Sequence, residues 1–316
     1  MSAPSNSGPA VRRRRPIRRA TRRAGWSVVV AAGTLVALGG WPTVPGAATS
    51  VPVAATVAAP STATAATATT AAGSGASITA VDTDAALAAA VGSLGGHFAV
   101  AVTDLGSGAA AQWGADSFVT ASIVKVDILA ALLLRTGGEL TDDQRAAAEL
   151  MIEQSDNDAA SALFEAAGGA AGLDAANARF GLTGTVAGTD GYWGLTSTTA
   201  ADQARLLRAV FTADSPLDAD SRAYLGRLMG LVADGQDWGV SAADQGGAAQ
   251  LKNGWLPRTA SGLWVVNSIG RVEYGGRDLL VAVLSDGSAT QQDGIDLVES
   301  VASAAARALV AAQQQG

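Results

Sequence analysis

Apolar and polar positions change period along this chain, and the changes divide it into elements. Residues 97–104 (HFAVAVTD) form a short apolar run of strand character. The turn Gly106-Ser107-Gly108 then leads into 110–113, which reads as a hairpin. Strand signals do not return until 250–252, 263–269 and 279–285. Between the two groups the apolar positions recur at helical spacing. The pattern predicts a short helix over 83–94, an apolar-faced helix over 122–135, and a helix after Thr141 running through Glu153. Thr141 is the expected N-cap, with Asp142 and Asp143 in the first turn where the helix dipole favours them. Further helical patterns cover 157–167, 173–180, 198–211 and 219–231, and a last one covers 292–312. No internal repeat is evident. Strands from both ends with helices between predict an α+β fold. An antiparallel sheet formed from both chain ends packs against a central all-helical domain, with the helices segregated to one side.

The N-terminal pattern is different. Residues 26–41 are apolar and uncharged, follow eight arginines between Arg12 and Arg23, and precede the small residues Gly46, Ala47 and Ala48. A basic n-region, a short apolar stretch and a small-residue cleavage site describe a secretory signal peptide over 1–48. The apolar stretch is shorter than the ~20 residues that span a bilayer. Arg22-Arg23 is also the pattern of twin-arginine export. Residues 49–77, rich in Ala and Thr and free of charge, read as a flexible linker. The folded domain is expected over 78–316. The expected location is secreted, extracellular or associated with the cell wall.

Charge and rare residues narrow the chemistry. The chain has 28 acidic and 21 basic residues, and no acid precedes Asp82. The part after the leader is therefore far more acidic than the overall formal charge of −7, which excludes a nucleic-acid partner. There is no cysteine, hence no disulfide and no thiol nucleophile. With one histidine, a multi-histidine zinc site is impossible. That residue, His97, opens a strand pattern and reads as an edge-of-strand residue rather than a general base.

Only two of the 21 basic residues are lysine: Lys125 and Lys252. Lysine differs from arginine in that burial shifts its pKa readily, so it can accept a proton. Ser122 precedes Lys125 by three residues, which on a helix puts both on one face, about 4.5 Å apart along the axis. A serine near a helix N-terminus has an unpaired backbone N–H and a favourable dipole for negative charge, so it can act as nucleophile and supply half an oxyanion hole. Ser155-Asp156-Asn157 lies at the junction of two helical segments. There a hydroxyl can relay a proton and an amide can meet an acyl-amide substrate, although all three types also favour caps and turns. Lys252-Asn253-Gly254 lies in a strand, where the lysine can anchor a carboxylate. Gly254 permits close backbone approach, and the N–H of Trp255 can complete the oxyanion hole.

Taken in order, S-x-x-K at Ser122–Lys125, S-D-N at Ser155–Asn157 and K-N-G at Lys252–Gly254 resemble the class A β-lactamases and penicillin-binding proteins. Thr196-Ser197-Thr198-Thr199-Ala200-Ala201-Asp202 also looks like the Thr-rich helix start that follows that family's Ω-loop. The resemblance implies a helical domain packed on a five-stranded antiparallel sheet, with the site between them. It implies Ser122 as nucleophile, Lys125 as its base, Ser155 as proton relay, Asn157, Asn253 and Gly254 as substrate contacts, and Lys252 as carboxylate anchor. The implied partner is a small-molecule β-lactam or a cell-wall peptide, taken by a monomer with no cofactor and no metal.

Two departures bear on turnover. The family's Ω-loop glutamate is missing, because no glutamate occurs between Glu165 and Glu273, and Asp190 is the only acid in the loop before Thr196. In addition, Asn253 replaces a threonine, and the bulky Trp255 is expected to narrow the acyl pocket. The leading expectation is a secreted, β-lactamase-like serine hydrolase with Asp190 as the candidate deacylation base. The alternatives are a D,D-peptidase- or esterase-like penicillin-binding protein and a non-catalytic cell-wall binding module.

Overall fold

The computed structural model describes residues 80–314. The expected signal peptide at 1–48 and linker at 49–77 lie outside the described residues. The chain begins with α1 (Ala80–Val91), β1 (His97–Asp104), β2 (Ala110–Trp113) and β3 (Phe118–Val119). One 3-10 turn at Ala121–Ile123 leads into α2 (Val124–Thr136), followed by α3 (Asp142–Glu153), α4 (Asn157–Ala167) and α5 (Gly169–Phe180). Then come a 3-10 turn at Trp193–Leu195, β4 (Ser197–Thr198), α6 (Ala200–Phe211), α7 (Ala219–Met229) and a 3-10 turn at Val240–Ala243. The chain closes with β5 (Gln250–Pro257), β6 (Trp264–Tyr274), β7 (Arg277–Ser288) and α8 (Gln291–Gln314).

The main sheet has the order β2-β1-β7-β6-β5, and every pairing is antiparallel. The C-terminal strand β7 sits in the middle, paired with β1 on one side and β6 on the other. Both of its faces are buried. Leu280, Ala282 and Leu284 belong to the core shared with α2 to α7, while Leu279, Val281 and Val283 belong to the core shared with α1 and α8. Burial on both faces explains why this strand reads as a continuous apolar run rather than an alternation. The expected sheet and central helical domain are present. The terminal helices α1 and α8 are not on the same side as that domain, because their apolar stripes (Leu87, Val91, Val298, Val301, Leu309) cover the opposite sheet face.

Two local features position the cleft. Thr141 caps α3 in a full capping box: its side chain accepts from Gln144 N–H, and the Gln144 side chain accepts from Thr141 N–H. This fixes where α3 starts, and so where its C-terminus delivers Ser155. The segment 181–197 is held at several points. Asp202 Oδ2 accepts from Gly184 N–H (2.7 Å) and Thr185 Oγ1 (2.9 Å), Asp174 accepts from Ala187 N–H (2.8 Å), and Val186 bridges Ser197. At Gly188 a Cβ would lie 2.1 Å from the Tyr192 carbonyl oxygen, so only glycine lets the loop fold back this tightly. The loop is stitched to α5 and α6, and it presents residues 191–195 to the cleft.

Candidate active site

Ser122 lies in the 3-10 turn at the start of α2, directly after Ala121, which holds a left-handed φ of 48°. A non-glycine residue there costs about 1–3 kcal/mol and must be held by its surroundings. The holding contacts are visible. Thr120 N–H donates to the Thr196 carbonyl (2.8 Å), and Asn267 Nδ2 on β6 donates to the carbonyls of Val119 (2.8 Å) and Thr120 (3.0 Å). Ser122 is partly exposed and faces a cavity of about 340 Å³.

Behind Ser122 the two lysines meet. Lys125 is fully buried, and its Nζ donates to the Ser155 carbonyl (2.6 Å), Ser155 Oγ (3.1 Å) and Asn157 Oδ1 (2.8 Å). Lys252, also fully buried, donates to the same Ser155 Oγ (3.1 Å) and to the Asn253 carbonyl (3.1 Å). Burial penalises the ammonium and pushes Lys125 down to about 7, against an upward pull from Asp156. Burial likewise lowers Lys252 to about 7, and the nearby Lys125 charge adds to this. The Ser155 hydroxyl has two lone pairs, and both face an ammonium, so its own proton is free to point elsewhere. Ser155 holds a left-handed φ of 56° at the α3–α4 junction, where Asp156 caps α4 through Ala159 N–H (2.8 Å).

Strand β5 forms the other wall, at the free edge of the sheet. A Cβ on Gly254 would lie 2.7 Å from Ser122 N, 2.7 Å from the Thr120 oxygen and 2.8 Å from Ile123 N. The strand thus packs backbone to backbone against the Ser122 turn, and only glycine permits this. Gly254→Ala should push β5 off that turn. The expected result is a fall in acylation rate of about 10²- to 10³-fold, the cost of one oxyanion donor. Stopped-flow acylation measured beside a thermal melt separates this from unfolding.

The structure therefore brings together Ser122, Lys125, Ser155, Asn157, Lys252 and Gly254. It places other candidates differently. Asn253 is buried on the far side of β5, and its Nδ2 donates to the Gln236 (2.9 Å) and Trp238 (2.8 Å) carbonyls. It ties the 236–238 segment to the strand rather than facing the cavity. Strand alternation puts the Trp255 side chain on the sheet face opposite Lys252 and Gly254, with its ring 5.9 Å from Trp264. Its side chain is among those lining the cavity. Asp190 is exposed, accepts from its neighbour Thr189 (3.1 Å), and is not part of the cavity lining.

His97 opens β1 away from the cavity, with its ring nitrogens 2.6 Å from Asp286 and 3.2 Å from Asp116. Hydrogen bonds to Asp286 and then Asp116 hold its pKa above the ordinary value. Among the described residues no group of His, Asp or Glu side chains is placed to hold a metal ion.

Two residues of the site escape sequence reasoning. Asn267 props the Ser122 turn from β6. Trp193, from the 181–197 loop, lays its ring over Lys125, with Nζ 5.1 Å from the centroid, while its Nε1–H donates to Ser161 Oγ (3.1 Å).

Comparison with known proteins gives the family and the fold. The chain belongs to the β-lactamase enzyme family, whose model matches residues 138–309. The matched segment includes Ser155, Asn157 and Lys252 and begins after Ser122 and Lys125. Among solved structures, a β-lactamase from Burkholderia vietnamiensis is 25% identical with a TM-score of 0.60, covering 71% of this chain and 95% of that one. A class A β-lactamase from Bacteroides cellulosilyticus is 17% identical with a TM-score of 0.61, covering 73% and 98%. A mutant of PBP-A, in an acyl-enzyme complex with penicillin G, is 22% identical with a TM-score of 0.60, covering 73% and 97%. No curated protein matches the chain.

Proposed function

We propose that this chain is an exported serine hydrolase that is acylated at Ser122 by β-lactams or related amides and releases the acyl group slowly. The observation that carries the reading is the convergence of both lysines on Ser155 beside the Ser122 turn. Near neutral pH a large fraction of Lys125 is unprotonated, and this amine takes the Ser122 proton. Ser122 Oγ then forms a bond to the substrate carbonyl carbon, and the oxyanion is held by the N–H groups of Ser122 and Trp255. The carbon–nitrogen bond breaks as Ser155 gives its proton to the leaving nitrogen. Ser155 is reprotonated by Lys125, which returns to the amine. Export rests on the leader pattern of residues 1–48, and a β-lactam substrate on the likeness to acylated PBP-A. The finer reading favours a penicillin-binding type of behaviour, because no carboxylate lines the cavity.

Intact mass spectrometry of the domain after mixing with penicillin G tests this. A stoichiometric adduct that persists for many minutes and is absent in Ser122→Ala is the expected result. Neither adduct nor hydrolysis would leave a binding module and sink the proposal. Hydrolysis with no accumulating adduct would instead identify an efficient β-lactamase.

A further inference from the structure

We infer that Asn267 is a positioning residue for the reaction at Ser122: its carboxamide holds the backbone that aims the Ser122 N–H at the oxyanion. This rests on the acylation of Ser122 proposed above. Asn267 lies on β6 directly opposite Gly254 on β5, so the two share one face of the sheet. It is fully buried, and its hydrogen bonds go to backbone on both sides. Nδ2 donates to the carbonyls of Val119 (2.8 Å) and Thr120 (3.0 Å), and Oδ1 accepts from Ser285 N–H on β7 (3.0 Å). An N–H on one side and two carbonyls on the other admit one orientation of the amide, and no other side chain of this length offers two donors and an acceptor. Ser285 sits where β6 and β7 shift register, between Trp264 and Val266. The next residue after Thr120 is Ala121, whose left-handed φ of 48° brings the Ser122 nitrogen against Gly254. Inside the turn, the Thr120 carbonyl has only a long bond from Ile123 N–H (3.4 Å). Without Asn267, Ala121 can release its strain by returning to an ordinary helical φ, which rotates the peptide that carries the Ser122 N–H. Gly254 sets how near β5 comes, and Asn267 sets which way the turn faces it.

An aspartate at this position has the same shape and keeps the bond from Ser285. Ionised, it turns an oxygen on two carbonyls; protonated, it returns one donor. Burial and the facing carbonyls raise such a carboxyl above its ordinary range. The charged side chains on the facing elements near the turn are Lys125 and Asp127 on α2 and Lys252 on β5. Their hydrogen bonds go to Ser155, Asn157, Gln203 and the Asn253 carbonyl. None of them is placed to compensate the new charge.

The test compares the protein with its Asn267→Asp variant, each rate taken relative to wild type at the same pH. Two reagents are used: penicillin G, and a fluorophosphonate, whose fluoride leaves as Ser122 Oγ bonds to phosphorus and whose phosphoryl oxygen calls on the same donors. At about pH 8 the variant should react about 10²- to 10³-fold more slowly, the cost of one oxyanion donor. At about pH 5, where the carboxyl is protonated and donates again, that gap should shrink at least about tenfold. A thermal melt at both pH values follows folding. A prop without a role in the reaction would lower the melting temperature and leave the rate of the folded protein unchanged, or slow it equally at both pH values; either result overturns the inference. If Asn267→Asp does not fold, Asn267→Ser keeps one donor and should be slowed about tenfold or more, and a wild-type rate in that variant overturns the inference. If the fluorophosphonate shows the expected pattern while penicillin G leaves Ser122 untouched, the proposed function fails and the role of Asn267 stands. If neither reagent modifies wild-type Ser122, both fail.

Discussion

Exchange of Lys125 for arginine is expected to slow acylation of Ser122 by about 10²- to 10⁴-fold, the usual contribution of a positioned general base. The loss should be nearly as large as for Lys125→Ala. The three acceptors around Nζ, the Ser155 carbonyl, Ser155 Oγ and Asn157 Oδ1, suit a guanidinium as well as an ammonium in charge. What arginine lacks is an accessible neutral form. The pH profile makes the distinction sharper. Burial lowers Lys125 to about 7, so the competent amine is scarce below that pH and dominant above it. Wild-type acylation should therefore rise as pH increases through about 7 and then level off. In Lys125→Arg the residual rate should show no such rise. An arginine variant that keeps most of the wild-type rate would reduce Lys125 to an electrostatic role. Lys252, also near 7, titrates in the same window, so the profile belongs to the pair. The variant assigns the rise to Lys125.

Much of the cluster beside Ser122 was legible because it holds residue types the chain otherwise avoids. In a chain whose other positive charges are arginines, the two lysines stood out, and both are buried against one serine. The α3 cap was equally local, since Thr141, Asp142 and Asp143 signal it within one turn. That the sheet draws strands from both chain ends was legible, but the strand order and the strand lengths were not. β6 and β7 run on to Tyr274 and back to Arg277 around Gly275-Gly276, where Arg271, Glu273 and Asp278 break the apolar pattern. Those charges sit where the hairpin leaves the core: Arg271 pairs with Asp278 across the strands at 2.8 Å. Asn253 shows the opposite failure. Its motif position suggested a substrate contact, yet strand alternation and two carbonyl acceptors turn its amide inward. The roles of Asn267 and Trp193 depend on residues more than thirty positions away, and no local pattern carries such contacts.

Mixing with penicillin G is expected to give a burst equal to the enzyme concentration and then slow release, and Asp190→Asn should leave that release rate unchanged. A deacylating water needs a base within hydrogen-bond reach of the ester. The only acid in the loop, Asp190, points to solvent outside the cavity, and the ground above Lys125 is occupied by the Trp193 indole. An indole offers one donor, already given to Ser161, and no acceptor for a water proton. Replacing it tests the cause directly. Trp193→Glu puts a carboxylate where the ring now faces Lys125, and acyl release should speed up, by as much as the 10²–10⁴-fold a general base contributes if the water is well placed. Rapid-mixing kinetics on the wild type, Asp190→Asn and Trp193→Glu separate the cases. A rate of burst formation close to wild type in Trp193→Glu would show that the acylating groups remain in place. Fast turnover without a burst in the wild type, abolished by Asp190→Asn, would mean that the loop swings Asp190 over the ester. Fast turnover in both would assign the water to Lys125 itself. If neither occurs and Trp193→Glu releases its acyl group faster, the aromatic cover over Lys125 is what makes the acyl-enzyme long-lived.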